Sequence, residues 1–98
     1  MTRLFAVIRS RGPAWNNSLI MDDQAEWPAH AAFMDALVDE GSVALGGPLE
    51  GSPDVLLIMR ATTPAEIVER LAADPWTHNR LLVDKQIWPW RIRLGSLD

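Results

Sequence analysis

Only two stretches of this chain repeat apolar residues at helical spacing, and short apolar runs that read as strands flank both. That alternation leaves few folds open. Arg3 to Arg9 carries Phe5, Val7 and Ile8 and reads as a strand, which Gly12-Pro13 stops. Residues 12–24 read as a polar loop carrying Trp15. Trp27, Ala31, Met34 and Val38 then recur at helical spacing, with Phe33 and Leu37 widening the stripe. Proline is tolerated only in the first helical turn, so this helix starts close to Pro28, and Gly41 ends it. Ser42 to Leu49 and Asp54 to Ala61 read as two strands, separated by the turn chemistry of Gly47-Pro48 and Gly51-Ser52-Pro53. Thr63-Pro64-Ala65-Glu66 is a capping box with proline at the first helical position, and Ile67, Val68, Leu71 and Ala72 form the apolar face that follows. Asp74-Pro75 breaks this helix, Pro75 to Leu82 adds a further turn or two, and residues 84–94 read as the last strand.

The resulting order is β-α-β-β-α-β, a split pair of βαβ units. It predicts an α+β, ferredoxin-like domain spanning residues 1–98, with a four-stranded antiparallel sheet and both helices on one face. Right-handed crossovers put strands 2 and 4 at the edges. Pro89 inside the last strand suits an edge, because proline cannot donate to a central ladder.

Two helices cover one face of such a sheet, yet the strands are apolar on both. Leu4, Ala6 and Ile8 alternate with Phe5 and Val7; Val55, Leu57 and Met59 alternate with Leu56 and Ile58; Trp88, Trp90, Ile92 and Leu94 share a face. A half-exposed sheet alternates apolar with polar residues, so the bare face predicts a homodimer paired through the open side of the sheet. The alternative is that the long loop or the C-terminal tail covers it.

Composition narrows the partners. A net charge of −4 with scattered basic residues provides no basic face for nucleic acid. No run approaches the roughly 20 apolar residues of a membrane span, and Arg9 and Arg11 interrupt the N-terminal apolar run short of a signal peptide. The absence of cysteine excludes disulfides and thiolate metal sites and fits a cytoplasmic protein. No metal site is expected from His30 and His78, which lack a third ligand at recognisable spacing.

Chain direction brings certain residues to one end of the sheet. Strand 1 runs toward that end, so helix 1 begins there and helix 2 ends there. His30 lies in the first turn of helix 1 and Asp74 just past helix 2, with Arg9, Arg11, Gly46-Gly47-Pro48 and Trp76 placed nearby. A neutral histidine acts as a general base, a carboxylate fixes its tautomer, Arg9 or Arg11 would hold an anionic group of a small-molecule ligand, and Trp76 would contact that ligand. Plainer roles compete. His30 packs beside Trp27 and Met34, Asp74 caps the turn begun by Pro75, the arginines are solvated strand ends, and Trp15, Trp76, Trp88 and Trp90 serve packing.

Taken in order, Pro28-Ala29-His30 opening helix 1, Gly41 at its end, Gly47-Pro48 in strand 2 and Asp74-Pro75 after helix 2 resemble the YCII-related domain family across nearly the whole chain. The resemblance implies a ferredoxin-like fold of the dimeric α+β barrel superfamily and a catalytic His–Asp pair, which maps to His30 and Asp74. It also implies proton transfer on small oxygenated rings without a cofactor. Arg11-Gly12-Pro13-Ala14-Trp15 and the tryptophan-rich last strand stand outside the family pattern. Three functions follow for comparison: a cofactor-independent lyase or isomerase, a non-catalytic binding or interaction module, and a cofactor-independent monooxygenase.

Overall fold

The computed structural model describes residues 1–97. Its elements are β1 (Arg3–Arg11), a short 3-10 turn (Met21–Asp23), α1 (Trp27–Asp39), β2 (Val43–Pro48), β3 (Asp54–Ala61), α2 (Pro64–Ala72), a single turn α3 (Pro75–His78) and β4 (Leu82–Trp90). The four strands form one antiparallel sheet in the order β2-β3-β1-β4, so β2 and β4 are the edges and Pro89 lies on an edge strand, as the topology requires. This is the ferredoxin-like α+β arrangement.

Local chemistry sets the helix ends. Gly41 adopts φ +87°, and the Ser42 amide donates to the Leu37 carbonyl while that of Gly41 donates to Val38, the paired bonds of a Schellman motif. Thr63 accepts the Glu66 amide at 3.3 Å, and the Glu66 carboxylate reaches back to the Thr62 amide at 3.1 Å, closing a capping box displaced by one residue. Three strands have boundaries that differ from expectation, and β2 spans Val43–Pro48, one residue shorter at each end than Ser42 to Leu49. β1 continues to Arg11 because Ser10 and Arg11 still pair with Val83 and Leu82. β4 occupies Leu82–Trp90 rather than 84–94, because its pairing with β1 ends where Leu4 lies opposite Trp90.

Phe5 and Val7 of β1 and Leu57 and Met59 of β3 face the helices and pack with Leu37, Val43, Ile67 and Leu71 in the main core. A second cluster of Trp15, Trp76, Leu81 and Leu82 closes the end of the sheet where α1 begins. The other face holds Leu4, Ala6 and Ile8 with their register partners Ile58, Leu56, Trp88 and Trp90. Trp88 and Trp90 are 58% and 42% exposed, and Leu45 on β2 is 57% exposed. Ile92 and Leu94 lie beyond β4 and do not extend that face as strand residues. No helix among the described residues is long and apolar enough to cross a membrane.

At Gly41 an added Cβ would meet nothing within 4 Å, so only its positive φ resists substitution. Gly41→Ala is expected to lower the unfolding free energy by about 1–2 kcal/mol in urea titrations. Gly47→Ala, equally uncrowded but not at positive φ, should be close to neutral in the same titrations.

Candidate active site

The end of the sheet beside α1 is closed around one carboxylate. Asp74 is fully buried at the junction of α2 and α3. Its Oδ1 accepts the Trp76 amide at 2.9 Å, the N-cap bond that starts α3 with Pro75 at the first helical position. The same carboxylate faces His30, whose Nδ1 lies 2.8 Å from Oδ1 and 3.0 Å from Oδ2. Oδ2 also accepts Arg9 Nη1 at 2.9 Å. The capping role and the histidine-orienting role therefore coexist, since a carboxylate has enough lone pairs for both.

His30 sits in the first turn of α1, and its amide donates to the Glu26 carbonyl, the first bond of the helix. Its ring stacks on the Trp76 indole with centroids 3.8 Å apart and planes 6° from parallel. Trp76 is itself locked: it is fully buried, its Nε1 donates to the Ala25 carbonyl at 2.7 Å, and Trp15 meets it edge-on at 5.5 Å. With Nδ1 engaged by Asp74, the neutral ring carries its proton on Nδ1 and leaves Nε2 unprotonated. Nε2 has no protein partner among the described residues.

His30 lines a cavity of about 230 Å³ between α1 and the β2–β3 half of the sheet. Its walls are mainly apolar: Met21, Trp27, Met34, Val43, Val55 and Leu57 contribute, and Gly46, Gly47 and Pro48 form the β2 side. A Cβ on Gly46 would lie 2.6 Å from Leu57 Cδ2, so the glycine keeps that wall from pressing Leu57 inward.

Of the residues expected at this end, His30, Asp74, Arg9, Trp76 and Gly46-Gly47-Pro48 come together. Arg11 does not: it is exposed and lies over the Trp15 ring, 4.8 Å from its centroid, away from the cavity. Arg9 borders the cavity but is 1% exposed, and each of its nitrogens has an acceptor in the protein: Asp84 for Nε, Asp74 for Nη1 and Thr77 for Nη2. Sequence reading passed over Thr77 and Asp84. Trp27, Met34 and Val38, which the sequence marks only as an apolar helical stripe, line the cavity, and Met34 and Trp27 also pack against the two core clusters. Their helical spacing marks one face of α1 without saying whether that face meets protein or an opening.

The sequence profile of the YCII-related domain matches residues 4–91. Among solved structures, the chain is similar to 5-chloro-2-hydroxyhydroquinone dehydrochlorinase (TftG) from Burkholderia phenoliruptrix AC1100, in complex with 2,5-dihydroxybenzoquinone. Identity is 25%, the match covers 90% of this chain and 93% of that one, and the TM-score is 0.68. No curated protein sequence matches.

Burial on its own would raise the Asp74 carboxyl, but His30, the Trp76 amide and Arg9 together outweigh it and hold the group below its ordinary value of 3.8. A carboxyl depressed in the folded state contributes stability above its unfolded pKa, and that contribution is lost as pH falls through the folded value. Wild-type protein should thus lose stability progressively below about pH 4, and Asp74→Asn should lose less over that window. At neutral pH the variant should already be less stable by about 3–5 kcal/mol, the usual result of breaking a buried ion pair. Urea unfolding across a pH series measures both.

Proposed function

Because the chain belongs to the YCII-related domain family, we propose that it is a lyase or isomerase that moves a proton on a small oxygenated ring, with His30 as the base and Asp74 as its orienting partner. One observation carries this reading: His30 is held on two sides, by Asp74 at Nδ1 and by the Trp76 face, while it borders the cavity and Nε2 has no protein partner among the described residues. A histidine that served packing alone would have no need of an unpartnered nitrogen beside an opening. The cavity volume supports a compact substrate, since an engineered cavity of about 150 Å³ accepts benzene.

The chemistry needs no group beyond the chain's own. An O–H or C–H proton of the ring moves to Nε2, and the electron pair it leaves is delocalised onto the ring oxygens. In a lyase the proton is first returned to the halogen-bearing ring carbon, and loss of a second hydroxyl proton to Nε2 then expels the halide from that carbon, so that hydrogen halide is lost overall. In an isomerase Nε2 returns the proton at another atom. The imidazolium formed meanwhile is stabilised by the Asp74 carboxylate. The dehydrochlorinase acts, by its name, on a chlorinated hydroxyhydroquinone, which makes this ring class the first substrate to try.

Incubation with chlorinated hydroxyhydroquinones in deuterated buffer should give halide release or ring deuteration. His30→Ala should slow either process at least about 100-fold, the usual contribution of a positioned base. Ring binding with neither process would instead favour a binding module, and substrate-dependent oxygen consumption a monooxygenase.

The open sheet face supports the second part of the proposal, a homodimer. Trp88, Trp90 and Leu45 are large apolar side chains left substantially exposed on one surface with Leu4, Ile8 and Leu56 between them. Two copies paired through this face would remove it from water. Sedimentation should give the mass of a dimer for the wild type, and Trp88→Glu should shift it toward monomer without loss of secondary structure.

A further inference from the structure

The base mechanism uses His30 and Asp74 but gives no work to the buried cation behind them. We propose that Arg9, anchored by Asp84 across a β-bulge, is a positioning residue that aims the Asp74 carboxylate at His30 Nδ1 and so keeps Nε2 open to substrate. The inference rests on the reading of His30 as a base.

The register of β1 against β4 shows how the anchor is made. Ile8 pairs with Gln86, but the next residue, Arg9, pairs with Asp84, so Lys85 is an extra residue with no partner. Bulges of this kind re-aim side chains next to sites. Uninterrupted pairing would have set Lys85 opposite Arg9, two cations on one buried face. The bulge instead places a carboxylate there, with Asp84 Oδ1 2.9 Å from Arg9 Nε. Lys85 turns to Asp54 at 3.0 Å.

The guanidinium is planar, so fixing Nε and one Nη fixes the direction of the other. Asp84 holds Nε, and Thr77 holds Nη2 while its own hydroxyl donates to the Leu71 carbonyl at 2.7 Å. Nη1 is thereby directed at Asp74 Oδ2. Asp74 is then held through both oxygens, by the Trp76 amide on Oδ1 and by Arg9 on Oδ2, and cannot turn away from the imidazole. The arrangement also explains why so deeply buried an arginine is tolerated: two carboxylates and a hydroxyl replace its water. A side chain so engaged is poorly placed to take a substrate anion, the role its position in the sequence suggested.

The test reads the His30 tautomer by long-range proton–nitrogen-15 NMR on the full chain at neutral pH, without substrate. Asp84→Asn is the main variant, since the Asp84 side chain is 25% exposed and lies outside the cavity wall. Arg9→Lys is the second, keeping the charge while losing the fork. Wild-type His30 should be predominantly protonated on Nδ1. Both variants should raise the Nε2-protonated fraction at least threefold while circular dichroism stays that of the wild type; a packing role alone would leave the tautomer unmoved. Folded variants with wild-type nitrogen shifts would overturn the role of Arg9 and leave the base reading standing. A wild-type His30 resting with its proton on Nε2 would overturn both.

Discussion

A carboxylate with no exposure has to be answered on every side, and in this protein the groups that answer Asp74 come from three different elements. The Trp76 amide ties it to α3, His30 to α1 and Arg9 to β1. Taking such a charge out of water costs several kcal/mol and is offset only by good geometry with donors on both oxygens. The same requirement that makes the site expensive makes it specific. The start of α1, the start of α3 and the end of β1 satisfy the carboxylate only when all three are in place.

The inner face of β1 shows how the sheet passes from core to site. Phe5 and Val7 point into the apolar core, and the next residue on that face is Arg9. A cation in that register needs an acid across the ladder, and the bulge opposite Ile8 and Arg9 provides Asp84 there. Beside this polar centre, the Trp27, Met34 and Val38 face of α1 and the Gly46-Gly47-Pro48 segment of β2 do not close on each other. An apolar cavity with one uncommitted imidazole nitrogen is the consequence.

The two faces of the sheet divide the work. One is covered by helices and carries the core and the site. The other presents Trp88, Trp90 and Leu45, each substantially exposed among the described residues. Neither the loop at residues 12–24 nor the tail covers that face as a whole: Trp15 folds into the cluster with Trp76, and Leu94 is 92% exposed.

Much of this was legible in the residues themselves. Periodicity, the Pro28 and Pro64 starts, Gly41 and the capping box determine the element order, because each acts within a few residues of itself. The element order with its chain directions was enough to bring His30 and Asp74 to one end. Three things had to wait for the tertiary structure. Whether Trp27, Met34 and Val38 meet core or cavity depends on how far α1 stands from β2. Which arginine joins the site depends on which face of β1 each occupies: Arg9 turns inward to the carboxylates, while Arg11 runs out over Trp15. The partnership of Arg9 with Asp84 depends on a one-residue slip between strands 75 positions apart in sequence. Side chains alternate faces with a period of two, so a single unpaired residue reverses which of Asp84 and Lys85 faces inward, and only the paired strands decide it.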